Sequence, residues 1–518
     1  MQDPDEDAGD SNAPLLPLSK KGISLRPRAI ARWVVLRPFS LLRSARRHPR
    51  TLVSRLPVYL LILLLIFVAA TPIFFPSYNN PPKRYRDLES RCRKDEAGCA
   101  NPRGEKVFIT VSLYDPDGSI AGGAWGLSVE RLIHALGEDN VFLSIYENDS
   151  GPDGDAALRT LDSRIASPKR IVSDLEPPNY AAFPHATMPD GTRVLKRLSY
   201  LSTIRNRAFE PLDRFDNSTT TTKFDKVLFL SDAVFNPLDA AHLLFNTNAD
   251  ETGRARYLSA CALDYNQNPF LFYDLYAQRD ASGFSNGLPI FPYFAPAGDE
   301  ASRRAMLAET DAVPVKSCWG GMVAAQAAPF QNMEPELPHP EWGKPGHHVV
   351  DPDAPRAVSA PVRFRFEPEI FFDACECCLL QADIAAVAGE AGAEAGVYVN
   401  PYVRVAYSER VLRLIPYVRR FERLFSPVQR LISRLVSLPT HNPHREVAQG
   451  EPFLEEVFTR RGEWEIVERR GRNGMFCGVR EMQTITFGIR EEGKKGEGLV
   501  NWVDWDVPWE GQRFYFPT

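Results

Sequence analysis

A second long hydrophobic run is missing from this sequence. Leu56 to Phe75 carries no charge over 20 residues, and no later segment is as uniformly apolar. A helix of about 20 residues spans ~30 Å of hydrocarbon, so one membrane crossing is expected and a multi-span channel or transporter is excluded. A strong charge of one sign is also missing. The net charge is −5, and because the first 55 residues hold 11 Lys/Arg against 5 Asp/Glu, the remainder carries −11. Such a mildly acidic body argues against a nucleic-acid binder. There is no internal repeat, which excludes solenoids and propellers. Cysteine is sparse, with eight residues, and Cys375, Cys377 and Cys378 lie too close together for a zinc knuckle. His441 and His444 read as loop residues. Proline, by contrast, is plentiful: 43 residues predict many loops and exclude a helical bundle, while 44% hydrophobic and 25% charged residues exclude a disordered chain.

The apolar run is too long for the ~7–15 residue core of a cleaved signal peptide, and about 55 residues precede it. Orientation is not decided by basic residues, since six stand within about 20 residues of either end. Two features favour an arrangement with the C-terminal part outside the cytosol. Asn148-Asp149-Ser150 and Asn217-Ser218-Thr219 are glycosylation sequons, and Cys92 and Cys99 are placed for a small disulfide in an oxidising compartment. The expected layout is a cytosolic basic tail at 1–55, an anchor at 56–75, a polar stem at 76–103, a main domain at 104–407 and a C-terminal extension at 408–518.

Within the main domain the hydrophobic period alternates. Strands are predicted at 106–115, 141–147, 170–173 and 226–232, with helices at 124–136, 155–165 and 195–209 between them. This predicts an α/β fold with a mostly parallel sheet and a site at the carboxyl ends of its strands. Shorter strands are predicted at 257–264, 313–318 and 361–366, a loop at 332–356, a helix at 368–387 and a strand at 397–406. Residues 408–437 have a basic amphipathic pattern, read as arginines on the solvent side of a packed helix or as a helix lying on anionic lipid.

The strongest chemical signal is the apolar strand that runs into Ser231-Asp232. A carboxylate there suits a hard divalent cation, Mn²⁺ or Mg²⁺, bridging a diphosphate. Arg205-Asn206 on the preceding helix offers a guanidinium and an amide for base or phosphate, or else forms part of an exposed helix surface. Tyr273-Asp274 and Arg279-Asp280 combine an aromatic with charges, as sugar binding requires, and Trp319 stands beside Gly320-Gly321. Glu376 sits among Cys375, Cys377 and Cys378, where loss of water would tune its acidity or an arginine would pair with it.

Taken in order, Tyr200-Leu-Ser-Thr-Ile-Arg205-Asn206, Val227-Leu-Phe-Leu-Ser-Asp232, Ala260-Cys-Ala-Leu-Asp264, Phe272-Tyr-Asp274, Arg279-Asp280, Ser317-Cys-Trp319-Gly-Gly-Met322 and Glu376-Cys-Cys378 resemble the fungal capsule-associated mannosyltransferases, glycosyltransferase family 69. The likeness runs from about Val107 to Ala406. It implies a GT-A-like, Rossmann-type mixed sheet in a lumenal domain behind one transmembrane helix. It further implies a type II Golgi enzyme that adds mannose in α-1,3 linkage from GDP-mannose to a mannose-containing glycan, with retention and a Mn²⁺ or Mg²⁺ cofactor. On this basis Glu376 and Asp264 are expected to be catalytic, with Glu376 acting as nucleophile or as electrostatic support. Asp115, Arg205, Asn206, Ser231 and Asp232 are expected to bind the nucleotide sugar, Asp232 through the metal. Tyr273, Asp274, Arg279, Asp280 and Trp319 are expected to bind sugar or acceptor. Ser231 and Gly320 stand where the family usually has Asn, which motivates a competing reading, an inactive glycan-binding or scaffold protein. A lumenal hydrolase with paired carboxylates is a third reading.

Overall fold

A computed structural model describes residues 49–175, 183, 185–187, 193–216, 223–331, 360–367, 373–390, 396–439, 444–458, 464–479, 483–487 and 500–504. The chain divides into two units, 1–69 and 70–518. In the first unit the described residues belong to helix α1 (Pro49–Phe74), which continues to the start of the second. Only 6% of its apolar window is covered by protein. A core helix of this composition would be covered, so α1 is a candidate membrane span.

In the second unit, α2 (Lys83–Arg91) leads into β1 (Val107–Leu113), α3 (Ala124–Leu136), β2 (Val141–Asn148), α4 (Gly151–Arg164) and β3 (Lys169–Asp174). Two short strands, β4 (His185–Thr187) and β5 (Arg193–Lys196), precede α5 (Arg197–Asp216), β6 (Lys226–Leu230), α6 (Pro237–Phe245) and β7 (Ser259–Tyr265). Then come β8 (Arg279–Asp280), α7 (Glu300–Leu307), β9 (Val313–Ser317), β10 (Met322–Gln326), β11 (Asp373–Ala374), α8 (Glu376–Glu390) and β12 (Val397–Ala406). The chain closes with α9 (Glu409–Val418), α10 (Phe425–Leu435), β13 (Pro452–Phe458), β14 (Trp464–Arg470), β15 (Gly478–Val479), β16 (Gln483–Phe487) and β17 (Val500–Asp504).

Nine strands form the central sheet in the order β3-β2-β1-β6-β10-β7-β12-β9-β8. The first four run parallel, and β10 is inserted antiparallel between β6 and β7. The sheet is therefore mixed, as expected for this α/β fold. β1 (VFITVSL) and β6 (KVLFL) are buried almost throughout, the pattern of strands covered on both faces. One core cluster packs α3 and α6 against the sheet through Trp125, Leu132, Leu243 and Leu244; a second, around Phe209, Phe229, Phe330 and Phe364, fills the opposite face.

Three expectations change. Residues 361–366 form no strand; they run as an irregular segment. The strand β10 was not anticipated, because MVAAQ is too short and too rich in alanine to be told from the end of the preceding motif. The segment expected to be a free polar stem is docked on the body. Tyr78, Tyr85 and Leu88 are buried, Tyr78 donates its hydroxyl to the Met306 carbonyl at 3.0 Å, and Tyr85 stacks on His242 with ring centroids 4.3 Å apart. Cys92 and Cys99 form the anticipated disulfide, with further bridges at Cys261–Cys318 and Cys378–Cys477. Asn148, at the end of β2, is buried with its amide donated to Tyr200, so this sequon is a poor acceptor; Asn217 and the loop 332–356 lie outside the described residues.

Candidate active site

Strand order reverses at β1, which has β2 on one side and β6 on the other. The carboxyl ends of β1 and β6 lie side by side at this reversal, which is where α/β sheets bind ligands in a crevice. After β6 the chain reaches Ser231. Its carbonyl accepts a 2.7 Å hydrogen bond from the Trp125 indole at the start of α3, and its hydroxyl donates to the Gly321 carbonyl at 2.9 Å. These bonds fix the strand end, and Asp232 follows. Asp232 is exposed to solvent; desolvation by the surrounding protein is the main reason its acidity is weakened, Asp115 adds to the shift and Arg205 opposes it.

Asp115 is fully buried, and its carboxylate accepts the amides of Ile120 (3.1 Å) and Ala121 (2.8 Å). It shapes the glycine-rich turn ahead of α3 and so borders the crevice without presenting a free carboxylate to it.

On the other side, Trp319 and Gly320 join β9 to β10. Their amides donate to one Asp274 oxygen at 3.1 and 3.2 Å, and the other oxygen accepts the Ala277 amide at 2.9 Å. Asp274 is therefore the clamp that holds the Trp319 loop, not a sugar ligand. Asp264, at the end of β7, accepts the Asp274 amide at 3.0 Å and the Tyr407 hydroxyl at 3.2 Å. Burial, reinforced by Asp274, holds the Asp264 carboxyl well above the usual carboxylate range. Tyr407, which follows β12, was missed from sequence. It also packs edge-on against the exposed ring of Tyr273 at 5.3 Å, and no local pattern distinguishes it from any tyrosine after a strand.

Two predictions arise here. An acid whose folded pKa is raised contributes stability below its unfolded pKa and loses it as pH rises. Asp264→Asn is therefore expected to raise the thermal midpoint relative to wild type more at pH 8 than at pH 5, as read by calorimetry at both values; an equal shift at the two would rule out a raised Asp264. The second concerns Gly320, whose φ of +59° asparagine tolerates. A Cβ there, however, would lie 2.0 Å from the Ala262 carbonyl oxygen in β7. Gly320→Asn, which restores the family's usual residue, is expected to cost about 2 kcal/mol or more by forcing this loop off the sheet. An unchanged thermal midpoint would refute the clash.

From α5, Arg205 forms a 2.8 Å ion pair with Glu376, the first residue of α8. Its guanidinium also donates to the Cys377 sulfur and lies 4.6 Å from the Trp319 ring centroid, a cation–π arrangement. Desolvation of the half-buried Arg205 would lower its pKa, but its acidic neighbours Cys377 and Glu376 raise it instead. Glu376 itself is buried. Cys375 and Cys377 are free, buried thiols that flank it, and the three side chains come within 4.8 Å of one another. Arg205 already neutralises this group, so a cation there would meet a fixed positive charge.

Three further expectations are corrected. Asn206 clasps Phe364, donating to its carbonyl at 2.7 Å and accepting its amide at 2.9 Å, and so orders the irregular segment. Arg279 directs its guanidinium at the carbonyls of Tyr276 (2.9 Å), Phe476 (3.1 Å) and Cys477 (3.2 Å), pinning the C-terminal extension to the body. Asp280 accepts the amides of Ser282, Phe284 and Asp299 and closes a turn. Of the expected residues, Arg205, Ser231, Asp232, Asp264, Tyr273, Trp319 and Glu376 remain around the switch-point crevice, joined by Tyr407.

A divalent cation fits the residues present. Asp232 supplies a hard oxygen that is open to solvent, and a magnesium-like ion takes one or two carboxylates and completes its shell with water and phosphate oxygens.

Residues 106–383 match a family model described as cryptococcal mannosyltransferase 1. No curated protein matches. Among solved structures, the chain is similar to a mannosyltransferase from Pyrobaculum calidifontis in complex with GDP-Man and Mn²⁺, at 12% identity over 74% of this chain and 76% of that one, with a TM-score of 0.30. It is also similar to mannosyl-3-phosphoglycerate synthase from Rubrobacter xylanophilus, at 15% identity over 76% and 93% of the chains with a TM-score of 0.27. A third is glucosyl-3-phosphoglycerate synthase from Mycobacterium tuberculosis in complex with Mg²⁺ and UDP, at 12% identity over 76% and 97% with a TM-score of 0.28.

Proposed function

Because this chain belongs to the cryptococcal mannosyltransferase 1 family, we propose that it transfers mannose from GDP-mannose to a mannose-containing glycan in α-1,3 linkage with retention of configuration. The observation that carries this reading is the switch-point crevice. There a desolvated, solvent-facing carboxylate, Asp232, stands near a cation–aromatic pair, Arg205 and Trp319. This suits a charged diphosphate at one end and a sugar ring at the other.

Asp232 would hold Mn²⁺ or Mg²⁺, which when bound screens the charge that develops on the departing diphosphate. The Trp125–Ser231 bond fixes the backbone that aims Asp232. Arg205, held by Glu376 and stacked on Trp319, supplies a fixed positive charge against the leaving phosphate. Glu376 is buried and paired, which favours electrostatic support over nucleophilic attack. Retention then follows from same-face substitution. The bond from the anomeric carbon to the phosphate oxygen breaks, the acceptor oxygen bonds to that carbon, and the acceptor's proton passes to the departing phosphate. Tyr273 and Tyr407, which pack edge-on, would line the acceptor side.

The full-length protein, supplied with GDP-mannose, Mn²⁺ and an α-mannoside acceptor, is expected to release GDP and form an α-1,3-linked product. Binding of GDP-mannose without turnover would favour the inactive glycan-binding reading, and breakdown of the acceptor the hydrolase. We further infer a single-pass type II Golgi protein with residues beyond α1 in the lumen. Endoglycosidase treatment is then expected to shift its mobility through Asn217, and a Asn217→Gln variant to abolish the shift. Digestion of residues beyond 100 by protease added to sealed microsomes would reverse the orientation.

A further inference from the structure

In α10 the usual amphipathic order is inverted. The side turned to the body carries Gln429 and Ser433, fully buried, while Val428, Leu431 and Leu435 face outward at 47%, 61% and 73% exposure. Hydrogen bonds of Gln429 hold this inward side. Gln429 donates to the Phe294 carbonyl at 2.9 Å and accepts from Arg303 at 2.8 Å. A helix on the surface of a soluble body turns its leucines inward, so this face has another partner.

The neighbourhood indicates which partner. α9 adds exposed Leu414 and Tyr417, and exposed Phe270 packs on Phe425 at the start of α10, at 5.9 Å between ring centroids. Arg410, Arg430 and Arg434 are exposed among these apolar groups. In the turn between the two helices, Arg420 donates Nε–H to the Pro72 carbonyl at 3.1 Å. Pro72 lies in the last turn of α1, so the apolar face begins where the apolar helix ends.

We propose that the outer face of α9 and α10 rests in the interface of the same bilayer that α1 crosses. Val428, Leu431, Leu435 and Tyr417 enter the acyl boundary, and the arginines meet lipid phosphates. The proposal rests on reading Leu56–Phe74 as a membrane span. Basic amphipathic helices with this distribution lie in bilayer interfaces in that way, the apolar area supplying the attraction and the arginines meeting headgroup phosphates. Such seating would hold the catalytic crevice at a fixed height above the membrane, and it is independent of which sugar is transferred.

The test uses the full chain reconstituted in vesicles of phosphatidylcholine and phosphatidylserine, with a nitroxide at Leu431→Cys or Leu435→Cys. Leu64→Cys in α1 serves as the immersed control. Ile466→Cys, 71% exposed on β14, serves as the aqueous control. The two free native thiols are buried, and the labelled parent chain gives their background. Power saturation is expected to show dissolved oxygen favoured over a nickel chelate at 431 and 435, several-fold above the ratio at 466 and in the sense found at 64. Ratios equal to that at 466 overturn the proposal. Shielding from both reagents also overturns it, in favour of a protein partner or a second copy. An aqueous ratio at 64 removes the anchor and the proposal with it, whereas a failure at 431 and 435 alone leaves the anchor standing.

Discussion

Asp232→Asn is expected to abolish cation-dependent GDP binding and to lower mannosyl transfer by about 10³ or more, since it removes the carboxylate that we propose holds the metal at the switch point. The fold is expected to tolerate the change. In the wild type desolvation raises the Asp232 pKa, so the folded state disfavours the ionised form, and its contribution to stability falls as pH rises through that value. A neutral amide of the same size escapes this penalty, and the thermal midpoint of the metal-free variant is expected at or slightly above that of wild type at neutral pH. Calorimetric titration with GDP, in Mn²⁺ and then in EDTA, reads the binding directly. Equal affinity in the two conditions would take the metal out of the reaction, and undiminished affinity in the variant would take Asp232 out of the site.

Glu376→Gln is expected to act differently. It leaves Arg205 without its carboxylate between Trp319 and the buried thiols. The guanidinium is then free to shift, and turnover is expected to fall about 10²-fold while GDP affinity stays close to wild type. Stability should fall as well. Breaking a buried pair costs about 3–5 kcal/mol, and the partial exposure of Arg205, 19%, places this case toward or below the low end. The double variant Arg205→Gln/Glu376→Gln separates the roles. If the residues act as a pair, the combined loss of turnover falls short of the product of the single losses. Multiplicative losses would give Glu376 a part of its own in the chemistry, and an unaltered kcat would confine it to the fold.

The elements that sequence reading located well are those whose signal is local. Ala124–Leu136 carries apolar residues at 129, 132, 133 and 136 on one face, and β6 is an unbroken apolar run. Both depend only on period and composition. The misreadings share the opposite property. Val362 and Phe364 alternate as a strand would, yet the segment pairs with the side chain of Asn206 and not with a neighbouring strand. The stem looked free because Tyr78, Tyr85 and Leu88 are few among charges, and their partners, Met306, Asp311 and His242, come more than 150 residues later.

The sequence by itself determined that one segment is apolar enough to span a bilayer, that strands and helices alternate between 106 and 232, and that an acid stands at the end of the strand Lys226–Leu230. Each of these depends on neighbours in the chain. Only the tertiary structure decided which charged residues of the motifs remain available for chemistry. Asp115, Asp274 and Asp280 have their oxygens taken by backbone amides, and Arg279 has its guanidinium taken by carbonyls of Phe476 and Cys477, nearly two hundred residues away. A buried charged group must be matched by donors or acceptors wherever the fold brings them. Residue type states what a side chain can bond, and the three-dimensional packing of distant backbone states what it does bond.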